Sequence, residues 1–120
     1  MKVGIVGGGQ LARMLALAGH PLGIETIVLD PAQDACAGAV TKQLRGAYDD
    51  HRQLKALADG VDVVTYEFEN VPGEAVKFLA GLSSVYPSPN ALEIGRDRLR
   101  EKTLLNSELG IPTAPFAAID

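Results

Sequence analysis

Cysteine is scarce in this sequence, since Cys36 is the single one among 120 residues. A disulfide framework and a cysteine-based metal site are therefore excluded. Cys36 also has no histidine near it in the sequence, which favours a structural role over that of a catalytic nucleophile.

Long hydrophobic runs and clusters of basic residues are missing as well. No apolar stretch approaches the roughly 20 residues that a membrane-spanning helix needs, and glycines interrupt the N-terminal apolar run before it resembles a signal peptide. The net charge is −4 with Lys and Arg dispersed, which argues against nucleic acid as a partner. We therefore expect a soluble, cytoplasmic protein that binds neither a membrane nor nucleic acid.

A hydrophobic fraction of 47% is present in periodic segments, which argues against disorder and predicts a folded core. Short β-branched runs alternate with helical patterns. The predicted strands are 2–6, 24–29, 40–44, 61–65 and 84–86, and the main predicted helices are 10–19, 50–58, 72–82 and 97–109. This alternation predicts an α/β fold, a Rossmann-like doubly wound parallel sheet with the first and fourth strands adjacent.

Three consecutive glycines, Gly7 to Gly9, separate the first predicted strand from the first predicted helix. Glycine lets the backbone turn sharply, and free N–H groups at a helix start attract an anion, so the pattern predicts a cradle for a phosphorylated small molecule. The spacing of Gly7, Gly9 and Ala12, with Asp30 ending the second predicted strand, also fits a dinucleotide fingerprint. Asp30 is equally consistent with a cap before Pro31, so both interpretations stay open.

The segment Tyr66-Glu67-Phe68-Glu69-Asn70 follows the fourth predicted strand and should meet the glycine turn where the winding of the sheet reverses. Glu67 and Glu69 alternate along an extended segment, so only one of them faces the crevice easily. A carboxylate there can accept hydrogen bonds from ribose hydroxyls or an exocyclic amine. The alternation argues against paired-carboxylate catalysis, and a solvated loop acid is the alternative interpretation.

Three elements taken together resemble a known family. They are Gly-Gly-Gly-Gln-Leu-Ala-Arg-Met at 7–14, Thr-Tyr-Glu-Phe-Glu-Asn-Val-Pro at 65–72, and Asp-Arg-Leu-x-x-Lys at 97–102, followed by Leu-Gly-Ile-Pro-Thr-Ala-Pro at 109–115. The whole chain resembles the N-terminal domain of the N5-carboxyaminoimidazole ribonucleotide synthase family, ATP-grasp ligases of purine biosynthesis. Taken alone, the third element is typical of a solvated helix face with i,i+4 pairs.

The resemblance implies an activity. It implies that ATP and bicarbonate form carboxyphosphate, that the exocyclic amine of 5-aminoimidazole ribonucleotide is carboxylated, and that ADP and phosphate are released. It implies no catalytic residue in this segment, ribonucleotide binding by one group of residues, and ATP binding by Arg98. The implied ribonucleotide-binding residues are Gly8, Gly9, Gln10, Leu11, Glu67 and Asn70.

The resemblance also implies a domain organisation. Residues 1–95 would be the substrate-binding pre-ATP-grasp domain, and residues 96–120 a helix and the start of a strand leading into an ATP-grasp domain that holds the Mg²⁺ ligands. We therefore expect this chain to be an N-terminal part that is inactive alone, from a homodimeric enzyme with a functional link to a partner mutase. Two alternatives stay open: another ATP-grasp ribonucleotide ligase or transformylase, or an NAD-binding Rossmann domain.

Overall fold

The computed structural model describes residues 1–118, and the last two residues of the predicted linking segment lie outside this range. Its centre is a four-stranded parallel sheet in the order β3-β2-β1-β4. The strands are β1 Lys2–Val6, β2 Glu25–Asp30, β3 Lys42–Arg45 and β4 Val63–Tyr66. This order confirms the predicted α/β sheet, including the adjacency of β1 and β4 where the winding reverses.

The described part of the chain contains five α-helices. They are α1 Gln10–Gly19, α2 His51–Asp59, α3 Gly73–Ala80, α4 Pro89–Arg96 and α5 Arg98–Thr103. Short 3-10 turns occupy His20–Leu22 and Cys36–Ala39, and a π-helical turn, Leu104–Glu108, continues α5. None of the helices within residues 1–118 has the length and apolar character to cross a membrane.

Both faces of the sheet are covered, because alternate side chains of a strand point to opposite faces. Val6 and Leu29 belong to the larger hydrophobic cluster, which includes buried residues of α2, α3 and α4. Ile5 and Val28 belong to a smaller cluster with Ala12 of α1 and the 3-10 turn at Ala37. The loops that follow the strands therefore lie at the edge of a sheet that is fixed from both sides.

Aspartate side chains cap the starts of two of the helices. Asp50 accepts hydrogen bonds from the N–H groups of Arg52 and Gln53, at 2.9 and 3.2 Å, and begins α2. Asp97 caps α5 in the same way. A carboxylate at this position satisfies N–H groups that have no partner within the helix.

The fifth predicted strand is wrong as a strand. Residue Val85 forms a single parallel bridge with Val64 of β4. The Val64 N–H donates to the Ser84 carbonyl and the Tyr86 N–H donates to the Val64 carbonyl, both at 2.9 Å. Pro87 follows directly, and the described residues form no further bridge to β4 beyond Val85.

Candidate functional site

The glycine turn leaves β1 through a backbone conformation that favours glycine. Gly7 has a φ of +105°, while its N–H still donates to the Leu29 carbonyl of β2 at 2.9 Å. The last ladder bond between β1 and β2 is therefore followed at once by a change of direction, which brings the chain to the start of α1.

Gly8 is held on both sides of its backbone. Its N–H donates to Asp30 Oδ2 at 2.8 Å, and its carbonyl accepts from the Ala37 N–H at 2.7 Å. A Cβ at this position would lie 2.9 Å from the Cβ atoms of both Ala35 and Asp30. The turn therefore fits between β2 and the 3-10 turn only because residue 8 has no side chain.

Glu67 lies beside the same turn because β4 continues its pairing with β1. The Glu67 N–H donates to the Val6 carbonyl at 2.9 Å. Its carboxylate accepts from two backbone groups, the Gly9 N–H on Oε2 at 2.7 Å and the Leu11 N–H on Oε1 at 3.0 Å. The start of a helix favours a negative charge, so this carboxylate caps α1 from another strand.

The prediction that the turn offers free N–H groups to a phosphate is wrong for three of these groups. The N–H groups of Gly8, Gly9 and Leu11 are paired with carboxylates of the chain itself. The N–H groups at the start of α1 do bind an anion, as expected for a helix start. For Gly9 and Leu11 this anion is the carboxylate of Glu67, which follows β4.

The Glu67 carboxylate retains capacity for further hydrogen bonds. A carboxylate has about four lone-pair sites, and the two backbone donors use one on each oxygen. Glu67 is half-buried and lines two shallow cavities, of about 440 and 290 Å³, that share Tyr66 as a wall. It can therefore accept from a bound hydroxyl or amine while the turn fixes its orientation.

Asp30 is a structural cap rather than a free ribose acceptor. Its Oδ1 accepts from the Ala32 N–H, and its Oδ2 accepts from the Gly8 N–H and the Tyr48 hydroxyl, each at 2.8 Å. Only 9% of Asp30 is exposed. The structure therefore fits the interpretation of Asp30 as a cap. The dinucleotide interpretation needs an exposed acid to bind the ribose, and Asp30 is not exposed.

Comparison with known proteins agrees with this geometry. A family model described as the ribonucleotide synthetase preATP-grasp domain matches residues 1–96. The chain belongs to this family. The match covers the glycine turn, Glu67 and the whole sheet.

Individual relatives of the preATP-grasp family are similar over nearly the whole chain. An N5-carboxyaminoimidazole ribonucleotide synthase from Pseudomonas aeruginosa is 53% identical over 99% of this chain and 33% of its own length. The N5-carboxyaminoimidazole ribonucleotide synthetase structure from Thermus thermophilus has a TM-score of 0.89 and 53% identity, over 94% of this chain and 31% of that one. The Staphylococcus aureus synthetase complexed with ADP has a TM-score of 0.83 and 36% identity, over 88% and 29%. The chain thus spans about a third of the length of these relatives.

The remaining predicted binding residues of this preATP-grasp domain differ in their surroundings. Gln10 and Leu11 begin α1 next to Glu67, and both are exposed, with Gln10 Oε1 accepting from the Cys36 thiol at 3.1 Å. Asn70 is exposed, three residues beyond Glu67. Arg98 lies at the start of α5, pairs with Glu101, and lines a separate groove of about 300 Å³. The turn and Glu67 are therefore one site, and Arg98 belongs to another surface.

Metal-binding side chains do not cluster in the described part of this domain. Within residues 1–118 no group of three or more His, Cys, Asp or Glu residues is arranged to hold a metal ion.

Proposed function

We propose that this chain is the N-terminal, ribonucleotide-binding part of an ATP-dependent ligase. The reaction is the carboxylation of 5-aminoimidazole ribonucleotide with bicarbonate to N5-carboxyaminoimidazole ribonucleotide, with release of ADP and phosphate. The observation that carries this proposal is the Glu67 carboxylate, fixed on the glycine turn by two N–H groups in a domain of the ribonucleotide synthetase family. The names and 53% identity of the relatives favour this function over the transformylase and NAD-binding alternatives.

Glu67 accepts hydrogen bonds from the ribonucleotide in this proposal, through the lone pairs that the backbone leaves free. Hydroxyl and amine groups suit a carboxylate, whereas a phosphate would be repelled by it. Within residues 1–118 no Lys or Arg forms an ion pair with Glu67 or Asp30. We therefore assign the sugar or base of the ribonucleotide to this site and its phosphate to residues outside the site.

The other predicted residues have supporting roles in the proposal. Gly8 and Gly9 supply a backbone that allows close approach, and Gln10, Leu11 and Asn70 are neighbours of Glu67 that contact the ribonucleotide. Residues 1–95 form the substrate-binding domain and 96–120 lead into an ATP-grasp domain. A cytoplasmic location, a homodimer, Mg²⁺ dependence and a partner mutase stay predictions.

The test is ADP release by the intact enzyme that contains this chain. The assay supplies ATP, Mg²⁺ and bicarbonate, with and without 5-aminoimidazole ribonucleotide. We expect strong stimulation by the ribonucleotide. ADP release that does not respond to the ribonucleotide, together with saturable NADH binding, would instead support the dinucleotide interpretation.

Arg98→Ala tests the proposed ATP contact. Arg98 is 77% exposed in its side chain and pairs with Glu101, so its loss should not disturb the fold. Loss of a charge-assisted hydrogen bond to a phosphate should raise the KM for ATP about tenfold, with the KM for the ribonucleotide unchanged. The control is Arg100→Ala on the same helix, whose arginine pairs with Asp97. If both variants give the same KM for ATP, Arg98 is a surface cation.

Gly9→Ala tests whether the position of Glu67 matters independently of the fold. A Cβ on residue 9 would lie 2.5 Å from Glu67 Oε1, at the end of a flexible side chain that can move away. The backbone of Gly9, with a φ of −80°, accepts alanine. We expect a loss of unfolding free energy of about 1 kcal/mol, from a weakened hydrogen bond, but a roughly tenfold higher KM for the ribonucleotide.

The matched control for Gly9→Ala is Gly81→Ala. Gly81 has an ordinary φ of −76°, and its Cβ would meet its nearest neighbour at 3.4 Å. Urea denaturation measures stability and steady-state kinetics measures the two KM values. Equal KM values for the ribonucleotide in both glycine variants would contradict the assigned position of Glu67.

A further inference from the structure

The carboxyl ends of all four strands are joined by one chain of contacts, in the order of the sheet. Tyr48 follows β3, Asp30 ends β2, Gly8 follows β1, and Glu67 and Phe68 follow β4. The glycine turn and Glu67 form the proposed ribonucleotide site, whereas Tyr48 follows β3, the strand at the other edge of the sheet from β4. No motif of the sequence assigns a function to Tyr48.

The hydroxyl of Tyr48 reaches the glycine turn through Asp30. The Tyr48 hydroxyl and the Gly8 N–H donate to the same oxygen, Asp30 Oδ2, each at 2.8 Å. Asp30 Oδ1 accepts from the Ala32 N–H. The Asp30 carboxylate is therefore held by three hydrogen bonds. Removing one of the three donors weakens the constraint on this nearly buried carboxylate and, through it, on the position of Gly8.

The ring of Tyr48 reaches Glu67 by a second route. It packs edge-to-face against the ring of Phe68, with 5.6 Å between the ring centroids and 64° between the planes. Phe68 is the residue after Glu67, and its Cε1 lies 3.2 Å from where a Gly7 Cβ would be. One side chain therefore links both halves of the proposed site, the turn indirectly through Asp30 and the β4 loop through Phe68.

We propose that Tyr48 is a positioning residue that sets the Glu67 carboxylate relative to the glycine turn, a role that rests on the proposed function of Glu67. Tyr48 does not touch the ribonucleotide itself. Burial, the hydrogen bond to Asp30 and the negative charges of Asp30 and Glu67 raise the pKa of Tyr48. Its hydroxyl thus remains a donor throughout the neutral range.

The test is Tyr48→Phe in the intact enzyme, which keeps the ring and removes the hydroxyl. We expect the KM for 5-aminoimidazole ribonucleotide to rise roughly tenfold, because a small displacement of a binding group is costly. The KM for ATP should be unchanged. The control is Tyr86→Phe, since Tyr86 is 66% exposed and its hydroxyl makes no hydrogen bond within the described residues.

A double-mutant cycle with Glu67→Gln separates positioning from a merely structural role. If Tyr48 acts through Glu67, adding Tyr48→Phe to Glu67→Gln should raise the KM for the ribonucleotide no further. Fully additive effects, an unchanged KM in Tyr48→Phe, or parallel changes in both KM values with a lower unfolding midpoint would each overturn the inference. An enzyme that the ribonucleotide does not stimulate would instead overturn the proposed function.

Discussion

Replacing Glu67 with glutamine should raise the KM for 5-aminoimidazole ribonucleotide by roughly 10- to 100-fold and leave the KM for ATP unchanged. The carboxylate has free lone pairs on both oxygens, whereas the glutamine amide has one oxygen and an NH₂ group that can only donate. The single oxygen has two lone pairs, and it cannot accept from the Gly9 N–H, the Leu11 N–H and the ligand together. Steady-state kinetics of the intact enzyme, with each substrate varied in turn, measures the result.

The same substitution should affect the fold much less. Glutamine still accepts one of the two N–H groups at the start of α1, so we expect a loss of unfolding free energy of about 1 kcal/mol. Glu69→Gln is the matched control, because Glu69 is exposed and its replacement removes the same charge two residues away. If the two variants have equal KM values for the ribonucleotide, the charge of the loop rather than the Glu67 carboxylate determines binding.

Sequence patterns predicted the parts of the site that depend on neighbouring residues. The glycine turn follows a short β-branched run, and Glu67 follows another, so the switch point of a parallel sheet was enough to bring them together. The alternation of Glu67 and Glu69 also predicted that only one of the two faces inward. A helix start capped by Asp49 or Asp50 and a stop at Gly60 predicted α2 to within about one residue at each end, and the structure shows Asp50 as the cap.

Sequence patterns did not predict which side chains pair with the backbone N–H groups of the glycine turn. The glycine turn attracts any anion, and only the register of β4 against β1 determines that Glu67 reaches two of its N–H groups. Tyr48 was missed because β3 has four residues and two exposed ends, which gives a weak strand signal. Locating its hydroxyl against Asp30 requires the tertiary structure, since 18 residues separate them.

The sequence pattern of α1 also did not predict which side of the helix is buried. Its buried residues are small, Ala12, Ala16 and Gly19, because α1 packs closely on the sheet. The larger apolar residues Leu11, Met14 and Leu15 are each at least half exposed. Hydrophobic periodicity identified the helix correctly. The side of α1 that faces the core is the one with small residues, not the one with large apolar residues.

Gly8→Ala should destabilise this chain by about 2–4 kcal/mol in unfolding free energy. The new Cβ would lie 2.9 Å from the Cβ atoms of both Ala35 and Asp30, and neither can rotate away because each Cβ is fixed by its backbone. Relief requires the turn to move. That movement weakens the hydrogen bond from the Gly8 N–H to Asp30 and the one from the Ala37 N–H to the Gly8 carbonyl.

Urea denaturation followed by circular dichroism measures this loss, with Gly95→Ala as the matched control. Gly95 lies in α4, has an ordinary backbone, and a Cβ there meets no atom within 4 Å. Alanine is the better helix former, so the control should gain about 0.5–1 kcal/mol. If Gly8→Ala has wild-type stability, the segment after β2 that contains Ala35 moves away from the new Cβ at little cost in free energy. The close packing of Asp30 against the turn would then not be what holds Gly8 and, through it, the ribonucleotide site in place.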